Sequence, residues 1–229
     1  MAKYLSKSKY RAGLICSRKL WLLLWQPELQ SQPSGMAPLI MEQGSLFGEL
    51  AQQLYADAVL IETDIGIQNL TAAEADTLAA IEAGADTILE ATFRAGEYRV
   101  LTDVIQRLAD DSWHLIEFKS ATKVKRAHIP DLAFQRYVIE LSGYRVSKCS
   151  VLHANTTGRS PDVASLFTEV DVTDQVTDYL PSVASNLVPM SALSETGSVI
   201  PEMQFKKVCV GCDFQAHCWL GVEQPTIYN

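Results

Sequence analysis

The alternating segment of residues 113–119, Trp-His-Leu-Ile-Glu-Phe-Lys, constrains the fold of this chain more than any other feature. A second β-rich segment, residues 98–105, precedes it, and a turn-forming run at 109–112 lies between them. Adjacent strands joined by that turn would bring Asp103 and Glu117 together at one end of a sheet. Because side chains alternate between the faces of a strand, Glu117 and Lys119 share a face. Two carboxylates and an ammonium there can hold a divalent metal ion and orient a water for phosphodiester attack.

The remaining patterns predict an α/β fold, with a mixed sheet and helices packed against it. A turn and then a helix are expected within residues 4–25, followed by a loop over 27–38. Further helices are predicted over residues 42–57, 71–84, 127–142 and 173–188. Strands are predicted near residues 86–94, 97–108, 112–119, 146–153 and 165–171. We divide the chain into an N-terminal helical segment (1–38), a core (39–190) and a C-terminal cysteine knuckle (191–229).

The net charge of −8 conceals an uneven distribution. Residues 1–30 hold six Lys or Arg against one acid, whereas residues 42–91 hold ten acids and no Lys or Arg. A second basic group, Lys119, Lys123, Lys125 and Arg126, follows Glu117 directly. Local potential steers a ligand more than net charge does, so a phosphate backbone remains a compatible partner. The longest apolar run, residues 20–25, is too short to span a bilayer, and no signal-peptide core is present, so we expect a cytoplasmic protein without membrane contact.

Three of the five cysteines lie close together near the C-terminus, as Cys209-x2-Cys212-x5-Cys218. Gly211 lies inside the first pair and favours a tight loop that lets two thiolates reach one centre. An odd number of cysteines without a secretion signal does not suggest a disulfide framework. The spacing therefore predicts a metal or cluster site that needs a fourth ligand.

Three residues are candidates for that fourth ligand: Cys16, Cys149 and His217. Cys149 lies in a predicted core strand, where a cysteine reads more naturally as a small buried apolar residue. Cys16 precedes a helix-like stretch, and we favour it. Four thiolates suit either zinc or an iron–sulfur cluster, and the spacing is also compatible with a Cys3His zinc site.

The order Asp103, Glu117-x-Lys119 and Gln135 resembles the PD-(D/E)XK superfamily in its RecB-like branch. One N-terminal cysteine with three near the C-terminus is similar to the iron–sulfur subset of that branch, which includes CRISPR-associated RecB-like nucleases and the AddB-type nuclease domain. Residues 16–22, 47–51 and 116–120 read much like segments of a further RecB-like group. The resemblance covers nearly the whole chain in the right order.

The resemblance implies a restriction-endonuclease-like mixed sheet flanked by helices, with an iron–sulfur subdomain joining the N- and C-terminal ends. The implied catalytic residues are Asp103, Glu117, Lys119 and Gln135. The implied metal ligands are Glu49, Asp103, Glu117 and the carbonyl of Phe118. The implied ligands of a 4Fe–4S cluster are Cys16, Cys209, Cys212 and Cys218. Two positions depart from the family pattern: Ile139 stands where a tyrosine usually follows Gln135, and Glu49 stands where many CRISPR-associated members have histidine.

The function implied is that of a Mg²⁺- or Mn²⁺-dependent DNA nuclease, an exonuclease or end-processing enzyme on single-stranded DNA or frayed ends. A CRISPR integrase or a helicase would be its partner, in antiviral defence or in repair. Two alternatives stay open from the residues. One is a non-catalytic DNA-binding subunit of a CRISPR adaptation or DNA-repair complex with a structural cluster, and the other is a zinc-stabilised interaction module.

Overall fold

A computed structural model describes residues 3–32, 35–62, 70–159 and 161–220. The helices are α1 (Lys7–Ile15), α2 (Ser17–Trp25), α3 (Ala37–Gln52), α4 (Leu70–Glu82), α5 (His128–Leu141), α6 (Thr173–Ser194) and α7 (Gln215–Cys218). The strands are β1 (Val59–Leu60), β2 (Thr87–Leu89), β3 (Thr92–Ala95), β4 (Tyr98–Leu101), β5 (Val104–Arg107), β6 (Trp113–Lys119), β7 (Val146–Ala154) and β8 (Phe167–Asp171). In the described parts of the chain, no helix is both long and apolar enough to cross a membrane.

Six strands form a mixed sheet in the order β1-β2-β5-β6-β7-β8. The pairs β2–β5, β5–β6 and β7–β8 are antiparallel, whereas β1–β2 and β6–β7 are parallel. Helix α5 makes the crossover that the parallel pair β6–β7 requires. The predicted α/β class, with a mixed sheet flanked by helices, is confirmed.

The alternation along β6 assigns its side chains to two separate apolar layers. Trp113 and Leu115 belong to the larger core, which includes apolar residues of α1, α2, α5 and α6. Ile116 belongs to the smaller core on the opposite face, where Phe118 packs beneath residues of α3. Glu117 and Lys119 therefore lie on the same side as α5, in phase with Trp113 and Leu115.

Two predicted strands are each divided in the structure. The segment 86–94 breaks at Glu90, whose φ of 56° is incompatible with a continuous strand, into β2 and β3. The segment 97–108 breaks at residues 102–103 into β4 and β5. As a result, β3 and β4 form a separate two-stranded sheet, while β2 and β5 pair in the large one.

Helix α3 begins five residues earlier than the predicted helix and ends at Gln52 rather than at residue 57. The reason is Pro38, which the sequence suggests as a loop residue but which lies in the first turn, where proline is well tolerated. The expected helix within residues 4–25 is also divided, because Cys16 has an extended backbone between α1 and α2.

The N-terminal helices contact the C-terminal part of the chain. Trp25 Nε1 donates to the carbonyl of Leu193 at 2.9 Å, and Trp21 Nε1 donates to that of Ser198 at 3.1 Å. Further along, Lys19 Nζ lies 2.8 Å from Asp213 Oδ2. These contacts hold the two ends of the described chain together beside the sheet.

Candidate active site and cysteine cavity

Glu117 is the centre of the candidate active site. Its side chain is 2 % exposed on β6, yet it accepts four hydrogen bonds. Lys7 Nζ donates to both carboxylate oxygens, at 2.8 Å to Oε1 and 3.0 Å to Oε2. Lys119 Nζ donates to Oε1 at 2.7 Å, and Gln135 Nε2 donates to Oε2 at 2.7 Å. Donors in this number hold a buried carboxylate ionised and fix its orientation.

Asp131 adds a second buried carboxylate, one helical turn before Gln135 on α5. Its Oδ2 lies 3.2 Å from Lys119 Nζ, and its Oδ1 lies 3.2 Å from Arg11 Nε. Lys119 therefore bridges the carboxylates of Glu117 and Asp131. The sequence analysis assigned Asp131 no role, although its four-residue spacing from Gln135 places both on one face of a helix.

Asp103 lies between β4 and β5, opposite the end of β6. The antiparallel ladder pairs Val104 with Ile116, so Asp103 and Glu117 are the next pair along the two strands. Asp103 Oδ2 accepts a hydrogen bond from the N–H of Phe118 at 2.5 Å. The predicted proximity of Asp103 to Glu117 is confirmed, and so is the shared face of Glu117 and Lys119; their catalytic roles stay predictions.

The surrounding charges move the pKa values of these two carboxyls in opposite directions. Burial would raise the pKa of Glu117, but the ammonium groups of Lys7 and Lys119 outweigh burial and lower that pKa to about 2. Burial and the charge of Glu117 raise the pKa of Asp103 to about 7, although Lys7 acts against both. Burial would lower the pKa of Lys7, but Glu117 and Asp103 raise it above its ordinary value. One carboxyl is therefore a fixed anion at neutral pH, and the other gains and loses a proton.

Glu90 is a further acid that the sequence analysis did not single out. Its N–H donates to the carbonyl of Asp103 at 3.2 Å, and its Oε1 accepts from Gln52 Nε2 of α3 at 3.1 Å. Burial raises the pKa of Glu90, and the charge of Lys7 acts in the opposite direction. No sequence signal identifies this position, because glutamate is not a residue type that favours a positive φ.

Of the two remaining predicted metal ligands, Glu49 lies outside this arrangement, and the role of the Phe118 carbonyl stays a prediction. Glu49 is exposed on α3, one turn before Gln52, and it has no hydrogen bond or ion pair among the described residues. Phe118 contacts Asp103 through its N–H rather than through its carbonyl. Across residues 3–32, 35–62, 70–159 and 161–220, no group of three or more His, Cys, Asp or Glu side chains is arranged to hold a metal ion.

A separate cavity of about 260 Å³ is lined by four cysteines, and we call it the cysteine cavity. Cys16 reaches it from the break between α1 and α2, and Cys209, Cys212 and Cys218 reach it from the C-terminal loop and α7. All four are free thiols. Gly211, with a φ of 77°, supplies the backbone conformation that the loop between Cys209 and Cys212 needs.

The residues that line the cysteine cavity distinguish among the three candidates for the fourth ligand. Cys149 is fully buried on β7 in the apolar core, and His217 does not line the cavity. Cys16 is the candidate that the fold brings to the C-terminal cysteines. Burial raises the pKa of Cys218, the guanidinium of Arg18 acts in the opposite direction, and the thiols of Cys212 and Cys16 add to the rise.

Two nitrogen donors also line the cysteine cavity. Arg18 Nε and Trp219 Nε1 are buried, and neither has a hydrogen-bond partner in the parts of the chain that the structure describes. A buried donor without a partner costs about 1–3 kcal/mol. The cavity is therefore lined by two side chains whose buried donors lack a partner among the described residues.

No known protein family and no curated protein matches the chain. Among solved structures, an alkaline exonuclease from Laribacter hongkongensis is 16 % identical, with 82 % of this chain and 88 % of that chain covered and a TM-score of 0.34. The protein SSO0001 is 14 % identical, with 97 % of this chain and 88 % of that chain covered and a TM-score of 0.35. At TM-scores below 0.5, these likenesses leave fold and function to be argued from the geometry of the chain itself.

Proposed function

We propose that this protein is a metal-dependent DNA nuclease of the PD-(D/E)XK type, with a restriction-endonuclease-like core. The observation that carries the proposal is the buried Glu117, which is bonded to Lys119 and Gln135 and lies opposite Asp103. A buried anion held by a lysine beside a second carboxyl of raised pKa is typical of a catalytic site. An ion pair on a strand surface would be exposed to solvent instead.

In this proposal, each side chain has a distinct task. Gln135 fixes the orientation of Glu117, and Asp131 holds Lys119 from the other side. Lys119 lies between the carboxylates of Glu117 and Asp131, and its proposed task is to orient the attacking water and to stabilise charge on the phosphate. Asp103 and Glu117 would hold a divalent cation, whose chemistry would be to acidify a bound water and to stabilise negative charge on the leaving oxygen.

The donor chemistry of the site fits Mg²⁺ or Mn²⁺, which favour carboxylate and carbonyl oxygens. A second feature supports a bound group here. Gln135 Oε1 is buried and accepts no hydrogen bond from the described residues. A water that is oriented in the site would satisfy this acceptor.

The proposed substrate is DNA, bound as single strands or frayed ends. Lys123, Lys125 and Arg126 are exposed in the loop that follows β6 and Lys119. Cations placed next to the acids can neutralise backbone phosphates, and binding through them weakens as salt rises. The same features suit the non-catalytic alternative, in which the chain binds DNA within a larger complex.

We propose a 4Fe–4S cluster for the cysteine cavity, held by Cys16, Cys209, Cys212 and Cys218. The four thiols line a common space of about 260 Å³. The unpaired N–H groups of Arg18 and Trp219 support the assignment, because donors to sulfur are a usual feature of such clusters. In its proposed role the cluster connects the two ends of the chain.

The test is cleavage of end-labelled single-stranded DNA with Mn²⁺ or Mg²⁺ after anaerobic purification. We expect Glu117→Gln and Lys119→Met each to lower the rate at least about 100-fold, as loss of a charge-stabilising group does. The matched controls are Glu169→Gln and Lys148→Met, an acid and a lysine that form a half-exposed pair on neighbouring strands of the same sheet. We expect both controls to cleave at the wild-type rate.

Wild-type protein that binds single-stranded DNA but releases no product with either metal would contradict the nuclease proposal and favour the non-catalytic subunit. Equal losses in the variants and in their controls would indicate a general effect on folding. Circular dichroism of each variant separates that case.

A further inference from the structure

Lys7 contacts the candidate active site from α1, which belongs neither to the sheet nor to its crossover helix α5. It lies in the first turn of α1, 110 residues before Glu117 in the chain. Its ammonium contacts both oxygens of Glu117, at 2.8 and 3.0 Å, and its side chain is 27 % exposed. A lysine that bonds to both oxygens of one buried carboxylate occupies the side of that carboxylate where a ligand would bind.

The hydrogen bonds leave Glu117 no free position for a cation. An ionised carboxylate offers about four lone-pair sites. Two are taken by Lys7, one by Lys119 and one by Gln135. A metal ion that bonds to a Glu117 oxygen must therefore displace at least one of these donors.

Among the three donors, Lys7 is the one that the fold allows to leave. Lys119 is also bonded to the carboxylate of Asp131. Gln135 is fully buried on α5, where its amide also donates to the backbone carbonyl of Asp131. The hydrogen bonds of the Lys7 ammonium within the described chain all go to Glu117. Its side chain is 27 % exposed, against 20 % for that of Lys119.

The Lys7 ammonium and the proposed metal would share a partner, the carboxylate of Glu117. The ammonium is bonded to both Glu117 oxygens, and its charge also interacts with the carboxylates of Asp103 and Asp131. A divalent ion held by Asp103 and Glu117 would need carboxylate oxygens as ligands. A Glu117 oxygen that is bonded to Lys7 is not free to bind that ion.

We propose that Lys7 is a resident cation that occupies the metal position in the metal-free protein, and that metal binding requires its withdrawal from Glu117. The inference rests on the proposed metal-dependent function. Lys7 neutralises the buried acids while the site holds no metal, and it weakens metal affinity because its two hydrogen bonds must first be broken. Helix α1 thereby controls when the site becomes competent.

The first experiment measures Mn²⁺ binding without DNA, by electron paramagnetic resonance of the free ion, at about pH 8. We expect Lys7→Met to bind Mn²⁺ at least about 10-fold more tightly than wild type, since the variant keeps the length of the side chain but not its charge. Lys7→Arg, which keeps the charge, should retain the weak binding. The matched control is Lys9→Met on the same helix, because Lys9 donates to the carbonyl of Tyr4 and makes no contact with the acids.

A second measurement uses the wild-type protein, in case Lys7→Met does not fold. Amine-selective labelling read by mass spectrometry should modify Lys7 slowly without metal and several-fold faster with Mn²⁺, while Lys9 labels at one rate in both conditions. Withdrawal of the ammonium from Glu117 is what exposes it to the reagent.

The outcomes separate this inference from the proposed function. Suppose that wild type cleaves DNA with Mn²⁺. If Lys7→Met then binds Mn²⁺ no more tightly than wild type, or if Lys7 is labelled at the same rate with and without metal, the inference is overturned and the proposed function is not. Mn²⁺ binding by Lys7→Met but not by wild type would support it strongly. The absence of Mn²⁺ binding in every variant would overturn the inference and the metal-dependent function together.

Discussion

Asp103 and Glu117 are neighbouring carboxyls whose protonation differs because their donors differ. Glu117 receives two ammonium groups and an amide, whereas Asp103 receives one backbone N–H. With the charge of Glu117 beside it, Asp103 is ionised only at a cost to the folded state. The free energy of unfolding therefore depends on pH through this one carboxyl, and that dependence can be measured.

The raised pKa of Asp103 predicts how its replacement alters stability. Its carboxyl releases its proton near pH 3.8 in the unfolded chain and near 7 in the folded protein. Between these values the folded state binds more protons, so the free energy of unfolding falls as pH rises through this window. Asp103→Asn removes the charge and keeps an oxygen that can accept from Phe118. We expect this variant to be more stable than wild type by up to roughly 4 kcal/mol at about pH 8, and equally stable at about pH 4.

Urea denaturation at the two pH values checks this expectation. A stability difference of the same size at both would show that Asp103 does not titrate between them. If Asp103→Asn is less stable than wild type at about pH 8, the carboxylate of Asp103 is favourably paired in the folded protein.

At this scale, the sequence predicted the residues whose relationship is local. Glu117 and Lys119 share a face because a strand has a period of two, and Asp103 meets them because a short turn joins the two strands. Lys7 could not be predicted, since nothing near residue 7 in the chain indicates that Glu117 will lie 2.8 Å away. Only the packing of α1 against the sheet and α5 establishes that contact.

At the scale of elements, the division of the first predicted strand at Glu90 determines the shape of the site. With a φ of 56°, Glu90 directs the chain out of the large sheet after β2 and into the hairpin of β3 and β4. The chain returns to the large sheet at Asp103, whose carbonyl accepts from the N–H of Glu90. The residues at which the chain leaves and re-enters the large sheet, Glu90 and Asp103, are therefore hydrogen-bonded to each other.

Two substitutions at Glu90 isolate the cost of its backbone conformation. Glu90→Gly and Glu90→Ala both remove the carboxylate and its bond to Gln52, but only alanine keeps the Cβ that opposes a positive φ. We expect the glycine variant to be more stable than the alanine variant by about 1 kcal/mol in urea denaturation. If the alanine variant is as stable as the glycine variant, or more stable, residue 90 does not adopt a left-handed conformation in solution.

The elements show where the sequence patterns were sufficient. The helix at 127–142 and the strand at 146–153 are each reproduced within a residue, because their apolar periods run without interruption. The segment 86–94 has the same β-rich character on both sides of Glu90, so its composition contains no sign of the break. A glycine at residue 90 would have indicated it.

At the scale of the whole molecule, the cysteine cavity joins segments that are distant in the chain. Cys16 and Cys218 line the same space, and Arg18 donates to the carbonyl of Pro201 at 2.8 Å beside it. A group bound by all four thiols would cross-link these segments and stabilise the folded state over the unfolded one. The division of the chain at residues 38 and 190 stays a prediction.

The cysteines give the prediction that belongs to this scale. We expect wild type purified anaerobically to contain about four irons per chain, and Cys218→Ala to lose them and to melt at a lower temperature. Cys149→Ala is the matched control, because this thiol is buried in the core on β7, and it should keep its iron. Iron, sulfide and zinc analysis with visible absorbance measures all three proteins. Stoichiometric zinc in a colourless wild type would contradict the iron–sulfur assignment.

The contacts between α1, α2 and α6 also have a consequence for the timing of biosynthesis. Lys3 and Trp25 bond to carbonyls at the end of α6, and Lys7 bonds to Glu117 on β6. At about 5–20 residues per second, the ribosome needs roughly 10 to 30 s to proceed from residue 25 to residue 194. Throughout that interval the apolar face of α2 has no α6 to cover it, and this nascent segment is the one that we expect chaperones to bind. The candidate active site would therefore be complete only after most of the described chain has been synthesised.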